Sequence, residues 1–188
     1  MLNSKYKTNI PVIPYIVNLP TTDTNLRNEL QIPDDAIVYG RYGGLYEFNI
    51  SEVHNAIKEY IHSDTNCYFL FMNTLTFYEH PRIIYLNRNL CLHYKSKFIN
   101  TCDAMIHARE MGETFGLSIA EFSIKNKPII TCVCGDLEHI KILGDKAIIY
   151  NSPKELISIF KNIKSIIHSR TDWNAYKMYT SRICYELI

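Results

Sequence analysis

Residues 112–130 of the chain read GETFGLSIAEFSIKNKPII. Apolar residues recur at helical spacing over 115–125, and the β-branched run that begins at Pro128 predicts a strand. Another apolar strand is predicted directly upstream, at 104–107. The stretch therefore has the order strand, helix, strand, which is the unit from which parallel α/β sheets are built.

The same alternation continues on both sides of this unit. Six short apolar strands are predicted, at 36–39, 67–72, 82–86, 104–107, 128–133 and 147–150. Helices are predicted at 25–30, 51–60, 95–101, 115–125, 137–143, 153–168 and 172–187. This pattern predicts an α/β fold, a Rossmann-like, doubly wound parallel sheet with helices on both faces. Because such sheets bind ligands beyond the carboxyl ends of their strands, the loops after Tyr39, His107 and Val133 are the expected site.

The chain divides into a lead-in and one domain. A length of 188 residues fits one domain comfortably. Pro11, Pro14 and Pro20 interrupt residues 1–30, which we interpret as a linker or lead-in segment. Residues 31–188 are the expected Rossmann-like domain.

Charge and hydropathy exclude several classes of partner. The 20 Lys and Arg against 19 Asp and Glu give a net charge of +1, which lacks the basic excess typical of nucleic-acid binding. No apolar run approaches the roughly 18–20 residues that span a bilayer. The N-terminus has no apolar signal-peptide region. We therefore expect a cytoplasmic protein with no membrane span and no nucleic-acid partner.

The six cysteines and seven histidines do not indicate a metal site. None of the cysteines belongs to a C-x-x-C pair, and no His/Cys cluster has zinc spacing. Several cysteines, such as Cys132, lie in apolar runs, which is typical of buried reduced thiols. The expectation is a protein without a structural metal.

The start of the predicted helix within 112–130 has properties that suit an anion. A helix N-terminus presents unpaired N–H groups and the positive end of the helix dipole. Gly116 lets the backbone approach a ligand closely, and the carboxylates of Glu113 and Glu121 can accept hydrogen bonds from sugar or ribose hydroxyls. Two glutamates that complement the dipole and cover a solvated helix face would have the same spacing, so spacing alone leaves both interpretations open.

The residue types in this segment are more specific than their spacing. Residues 113–130 resemble the E-x7-E signature of GT-B glycosyltransferases of the retaining, family-four kind, in which E-G-F-G-L is followed by E-A and then by G-K-P-V-I. The match includes both glutamates, the Phe-Gly-Leu turn and the Lys-Pro pair before the next strand. Residues 35 to about 168 follow the element order of that family's C-terminal, donor-binding domain.

The resemblance implies roles for the matching positions. Glu113 would face the hydroxyls of the donor sugar, and Glu121 would bind the ribose of the nucleotide. Arg41 would neutralise the departing diphosphate, since a fixed cation stabilises a leaving group that gains negative charge; a surface arginine after a strand is the alternative. Glu113 and Arg41 are thus the expected catalytic residues. The expected donor-binding residues are Gly40, Gly43, Arg109, Thr114, Phe115, Gly116, Leu117 and Glu121.

The first loop departs from the family pattern. Where the family has a lysine about five residues beyond the arginine, followed by glycine, this chain has Tyr46 and Glu47. Arg109 or Lys125 would have to replace that cation. We expect Arg109 to replace it, because Arg109 follows the fourth strand and comes just before Glu113. A solvated loop arginine is the alternative.

Four further loop residues are weaker candidates. His107 could hydrogen-bond a phosphate or a sugar, but a histidine that ends a buried strand is more often structural. Asp136, Glu138 and His139, which follow the fifth strand, could border the sugar pocket, although Asp136 is better suited to capping the next helix.

Together these observations predict a glycosyltransferase donor domain. The resemblance implies a hexosyltransferase-like, retaining enzyme that binds a UDP- or GDP-linked sugar as donor and needs no metal or other cofactor. A GT-B enzyme also has an acceptor-binding N-terminal domain, which the expected partner, an attached domain or a separate subunit, would supply. A non-catalytic nucleotide-sugar-binding or interaction module is the alternative, and a sugar-nucleotide epimerase is a weaker one.

Overall fold

Parallel strands form the centre of the structure, a computed structural model that describes residues 15–180. The strands are β1 Ile37–Tyr42, β2 Cys67–Met72, β3 Ile83–Leu86, β4 Ala104–Ile106, β5 Gly112–Glu113, β6 Ile129–Cys132, β7 Asp136–Leu137 and β8 Ala147–Tyr150. Six of them form one parallel sheet in the order β3-β2-β1-β4-β6-β8, and β5 pairs with β7 in a small separate sheet. The strand order reverses between β1 and β4, which makes their carboxyl ends the expected ligand crevice.

Helices cover both faces of this sheet. They are α1 Ser51–Ser63, α2 Leu92–Thr101, α3 Leu117–Ile124, α4 Glu138–Leu143 and α5 Pro153–His168. The first apolar core joins α1 and α5 to strand residues such as Tyr39 and Phe69. The second joins α2 and α3 to Val38 and Leu70. Because successive residues of a strand point to opposite faces, neighbours in β1 and β2 enter different cores, and the predicted doubly wound Rossmann-like fold is confirmed.

The described part of the lead-in segment packs onto the second core. Val17, Leu19 and Leu26 are buried there. The N–H group of Val17 donates to the carbonyl of Tyr179 at 2.7 Å, which ties this segment to the other end of the described chain. The linker prediction also covers residues 1–14, which lie outside the described residues.

The first strand extends beyond its predicted end at Tyr39. β1 continues to Tyr42, so Gly40 and Arg41 belong to the strand rather than to the loop after it. Gly40 is in register with Leu70 of β2 on one side and with Met105 of β4 on the other. The other predicted strands are present with bounds that differ by at most one residue from those expected.

The prediction of a helix at 172–187 is wrong for the residues of this range that the structure describes. Residues 172–180 are irregular apart from one 3-10 turn, Lys177–Tyr179, and residues 181–187 lie outside the described range. Side-chain acceptors hold the backbone of this segment in its irregular conformation. The N–H of Trp173 donates to Asn126 Oδ1 at 2.6 Å, and the N–H of Ala175 donates to Ser123 Oγ at 2.9 Å.

The short helix predicted at 25–30 is replaced by hydrogen-bonded turns. The N–H of Leu26 donates to Thr101 Oγ1 at 2.8 Å, and that of Arg27 donates to Asn25 Oδ1 at 2.9 Å. Gln31 has a left-handed φ of 55°, which ends the turn. No helix among residues 15–180 is long and apolar enough to cross a membrane. The cytoplasmic location stays a prediction.

Candidate active site

A cleft of about 680 Å³ lies at the carboxyl ends of the central strands. It is bordered by the loops after β1, β2, β3 and β4 and by the first turn of α3. Two of the three predicted loops, those that follow β1 and β4, therefore meet at this cleft. The third, at Val133, borders a different cavity of about 270 Å³ between the ends of β6 and β8.

The first turn of α3 forms one wall of the cleft. Gly116 caps the helix with φ at 77°, a left-handed conformation that favours glycine. The carbonyl of Gly116 accepts the first helical hydrogen bond, from Ala120 at 2.8 Å. The N–H groups of Leu117 and Ser118, both of which line the cleft, have no partner within the helix. The helix N-terminus that the sequence predicted is therefore present at the cleft, and its binding of an anion stays a prediction.

Two predicted donor-binding residues of this segment, Phe115 and Thr114, do not border the cleft. The ring of Phe115 is buried against Tyr176, whose hydroxyl donates to the carbonyl of Phe115 at 2.6 Å. This contact holds the turn that precedes α3. Thr114 is exposed and does not border the cleft. The prediction for both residues stays open, but neither side chain forms the wall of the cleft.

Glu113 is fixed by the small β5–β7 sheet. Its backbone pairs with Leu137, and its carboxylate accepts a hydrogen bond from Arg109 Nη1 at 3.1 Å. His107 Nε2 lies 3.5 Å from the other carboxylate oxygen. Burial alone raises the pKa of Glu113, but the adjacent His107 ring and Arg109 guanidinium outweigh it and hold the pKa below its ordinary value. Glu113 therefore borders the cleft as a carboxylate.

Arg109 joins two acidic side chains across the cleft. Its Nη2 lies 3.0 Å from Glu47 Oε1, while its Nη1 donates to Glu113. Glu47 also accepts from the N–H of Gly44 at 2.9 Å, which fixes the loop after β1. The predicted replacement cation is therefore in the cleft, but it is paired with carboxylates on both sides.

Glu121 lies at the inner end of the cleft and is buried. The hydroxyl of Tyr42 donates to its carboxylate, and the ammonium of Lys95 lies 3.4 Å from both carboxylate oxygens. Burial raises the pKa of Glu121 to about 7, an effect that the nearby Lys95 opposes. Sequence reasoning missed Lys95, because it lies in α2, far from any recognised motif.

Arg41 is buried and not a surface arginine. Its guanidinium donates to the carbonyls of Asn73 and Gly44 and to the hydroxyl of Thr74, so it joins the loops after β1 and β2. Burial lowers its pKa to about 10, so it stays protonated at neutral pH. The phosphate role expected for Arg41 is untested, but its three contacts hold together two loops that border the cleft.

Packing requires a glycine at position 40, and its donor-binding role stays a prediction. A Cβ atom at this position would lie 2.2 Å from Cys102 Sγ and 3.1 Å from the ring of Phe122. Gly43, by contrast, borders the cleft, and its carbonyl accepts a hydrogen bond from Asn73 Nδ2 at 2.7 Å.

The other two positions considered for the missing cation are outside the cleft. Tyr46 is 73% exposed and does not border the cleft. Lys125 donates to the carbonyl of Pro20 at 2.8 Å and so belongs to the contact with the lead-in segment. Arg88 and Lys95 do border the cleft, and together with Arg109 they supply its positive charge.

A buried chain of hydrogen bonds lies behind Glu113. His107 Nδ1 is 2.9 Å from Thr131 Oγ1, which is 3.1 Å from His139 Nε2. His139 Nδ1 is 3.4 Å from the carbonyl of Glu113. His139 is thus buried behind the site rather than at the edge of a sugar pocket, which corrects the expectation from the sequence. His107 lies between this series of hydrogen bonds and the cleft residues Arg109 and Glu113.

No protein-family model matches the chain, and neither does any curated protein sequence. Solved structures do match it. Anabaena Alr3699/HepE in complex with UDP and glucose superposes with a TM-score of 0.67 at 15% identity, over 86% of this chain and 48% of that chain. WaaG, a glycosyltransferase involved in lipopolysaccharide biosynthesis, gives a TM-score of 0.65 at 14% identity, over 98% of this chain and 56% of that one. Sucrose-phosphate synthase from Thermosynechococcus elongatus gives a TM-score of 0.62 at 14% identity, over 96% of this chain and 50% of that one.

At this level of identity the likeness shows the fold. The chain spans about half the length of these three proteins, so what it matches is one of their two halves. The chain therefore has the fold of one half of a GT-B glycosyltransferase.

Proposed function

We propose that this chain is the donor-binding half of a glycosyltransferase and that it binds a nucleoside diphosphate sugar in the 680 Å³ cleft. The observation that carries the proposal is the meeting, in one crevice, of the uncapped N-terminus of α3 with Glu113 and Glu121. A nucleotide sugar has a diphosphate for the helix N-terminus and hydroxyl groups for the carboxylates. The neighbour Alr3699/HepE has been crystallised with UDP-glucose, which makes a UDP-linked sugar a suitable first probe and a GDP-linked sugar the second.

The position of each ligand group follows from the wall residues. The diphosphate would accept hydrogen bonds from the N–H groups of Leu117 and Ser118, and Lys95 also borders this cleft. Glu121 would bind the ribose and Glu113 the transferred hexose. Such a site stabilises a leaving diphosphate with fixed donors and cations, which is why we propose transfer without a metal; retention of configuration is proposed from the family resemblance alone.

A second domain is part of the proposal. Large apolar side chains are exposed on the loops around the mouth of the cleft, whereas a cleft that faced only water would favour polar ones. These side chains are Leu45, Tyr46, Leu75, Leu90 and Met111 on the loops, together with Leu117 in the first turn of α3. We propose that an acceptor-binding domain or subunit covers them, excludes water from the cleft and supplies the acceptor.

One observation favours the alternative, a module that binds a nucleotide sugar without transferring it. Glu47 lies in the cleft and pairs with Arg109, so part of the positive charge is neutralised before any ligand arrives. A carboxylate beside a diphosphate also opposes its binding. The binding site is common to both functions, and only turnover separates them.

Calorimetric titration of the 188-residue chain with UDP, GDP, UDP-glucose and GDP-mannose tests the binding site. We expect at least one nucleotide to bind, and Lys95→Met to weaken it about tenfold through loss of one charged contact of about 1.4 kcal/mol. Lys161→Met is the matched control, since Lys161 is exposed on α5. Absence of binding by all four compounds would exclude both the transferase and the module.

Turnover distinguishes the two functions. The titrated donor is incubated with the chain, and release of free sugar is followed. Slow donor hydrolysis that is lost in Glu113→Gln supports the transferase, because water can replace a missing acceptor. Binding without any hydrolysis, both alone and with a candidate acceptor domain, supports the module.

A further inference from the structure

Arg88 lines the cleft with an exposed side chain that has no carboxylate partner among residues 15–180. The other cations of the lining are already neutralised. Lys95 is paired with Glu121, and Arg109 is paired with a carboxylate on each side. None of the residues that the structure describes accepts a hydrogen bond from the Arg88 guanidinium. Its N–H donors are therefore available to a ligand.

Arg88 lies at one end of the cleft. It follows β3, the edge strand of the sheet order β3-β2-β1-β4-β6-β8, whereas Glu113 belongs to the segment after β4. Neighbouring strands are about 4.8 Å apart, so the ends of β3 and β4 are separated by about 14 Å. Glu121 lies between these two ends, because it contacts Tyr42 at the end of β1 and Lys95 of α2.

This order of residues determines where the base of a nucleotide sugar would lie. In such a donor the hexose and the base are at opposite ends of the molecule, with the diphosphate and the ribose between them. The contacts of the proposed function put the hexose at Glu113 and the ribose at Glu121. The base would then lie beyond Glu121, on the β3 side of the cleft, beside Arg88 and Asn89.

The side chains at this end of the cleft can donate hydrogen bonds to a base. Asn89 Oδ1 accepts from the N–H of Cys91 at 2.9 Å, so the NH₂ group is what this amide can still offer. The guanidinium of Arg88 is a planar fork that matches two acceptors on one edge of a ligand. Guanine has such an edge, with O6 and N7 side by side. Uracil has O4 alone on that edge, and cytosine and adenine have an amino donor there.

We propose that Arg88 recognises the base of the donor and that this base is guanine, which accepts hydrogen bonds from the guanidinium through O6 and N7. The inference rests on the proposed function and narrows its substrate class to a GDP-linked sugar. UDP binds the same cleft more weakly, because it shares the ribose and diphosphate contacts but lacks the paired acceptors. Arg88 thus selects the nucleotide and not the transferred sugar.

Calorimetric titration of the full chain with GDP, 7-deaza-GDP and UDP tests this contact. 7-deaza-GDP has a carbon in place of N7 and so lacks one acceptor of the pair. We expect the wild type to bind GDP about tenfold more tightly than UDP, and about three- to tenfold more tightly than 7-deaza-GDP. The comparison with 7-deaza-GDP needs no variant, so it holds even if a substitution disturbs the fold.

Arg88→Met removes the donors and keeps the apolar stem of the side chain. The loss of one positive charge weakens all three nucleotides alike, whereas the loss of the fork affects GDP alone. We therefore expect the preference for GDP over UDP, and over 7-deaza-GDP, to disappear in this variant. Lys161→Met, which removes a positive charge from the exposed face of α5, should keep both preferences and is the control.

The results that overturn the inference differ from those that overturn the proposed function. A UDP or 7-deaza-GDP affinity equal to or above that of GDP in the wild type overturns only the recognition of guanine. A preference for GDP that persists in Arg88→Met, with an equal loss of all three nucleotides, assigns Arg88 to the diphosphate and overturns its contact with the base. Failure of the wild type to bind any of the three overturns the proposed function together with the inference.

Discussion

Arg109 Nη2 lies 3.0 Å from Glu47 Oε1, so the arginine that precedes Glu113 enters the cleft already paired with a second carboxylate. In the family that the sequence resembles, the position of Glu47 is a glycine that follows a lysine. In this chain the loop has Tyr46 and Glu47, and the Glu47 carboxylate borders the cleft. The affinity for a diphosphate should therefore be limited by Glu47.

Glu47→Gln should increase the affinity for UDP. The change removes a carboxylate from the diphosphate site and frees one face of Arg109, and we expect a gain of about three- to tenfold, corresponding to about 1 kcal/mol. Calorimetric titration at low ionic strength measures it. Glu59→Gln removes the same charge from the exposed face of α1 and should have no effect. An unchanged or lower affinity in Glu47→Gln would show that the diphosphate does not bind beside this loop.

The raised pKa of Glu121 predicts a pH dependence of stability. With a pKa of about 7 in the folded chain and 4.5 as the ordinary value, folded Glu121 holds a proton that the unfolded chain releases over this range. Its contribution is complete below pH 4.5 and is lost as the pH rises through 7. Relative to Glu121→Gln, the wild type should therefore lose on the order of 2 kcal/mol of unfolding free energy between pH 5 and 8. Urea unfolding of both proteins measures this, and a difference that does not vary with pH contradicts the buried-carboxyl account.

Arg41 should contribute to stability because its guanidinium donates to carbonyls of two loops, and not only because it is charged. Its guanidinium reaches two loops at once, which the single ammonium of lysine cannot do. We expect Arg41→Lys and Arg41→Ala to lower the free energy of unfolding by similar amounts, about 2 kcal/mol or more. Arg88→Lys, on an exposed side chain, is the control. If Arg41→Lys keeps full stability and changes only UDP binding, Arg41 acts on the ligand directly.

The general architecture was predictable because it depends on local patterns. The apolar strands and the Gly116 turn each occupy a few consecutive residues, and the order of elements determines the sheet. The strand β5, with two residues, is too short to leave a periodic signal. The charges that border the cleft come from Glu47, Arg88 and Lys95, on separate loops and a helix, so no motif connects them before the chain folds. The hydrogen bonds that connect His107 to His139 through Thr131 likewise form only when the folded protein brings separate elements together.

Burial explains the clearest differences from expectation. The sequence predicts that the first strand ends at Tyr39, yet Arg41 belongs to β1 and its guanidinium finds carbonyl partners inside the protein. The helix predicted at 172–187 does not form for a related reason. Trp173 is buried and Tyr176 enters the second core, and the side chains of Asn126 and Ser123 bind the backbone that carries them.

Packing at Gly40 can be tested by exchanging volume with its neighbour. Gly40→Ala should destabilise the chain by about 1–3 kcal/mol, because its Cβ would lie 2.2 Å from Cys102 Sγ. Cys102→Ala removes that sulfur, so the double variant should be more stable than the sum of the two single changes predicts, by about 1 kcal/mol or more. Denaturant unfolding of the four proteins measures the coupling. Strict additivity would mean that the strand, and not the sulfur, accommodates the methyl group.

The most direct test of the central claim, that the cleft binds a nucleotide sugar, is to map UDP on the chain by amide ¹⁵N–¹H chemical shifts. The account predicts that the largest changes occur at Gly43, Gly44, Leu117 and Ser118, whose residues form the walls of the cleft. Absence of any change, or changes confined to the separate cavity at Val133 and Asn151, would contradict it.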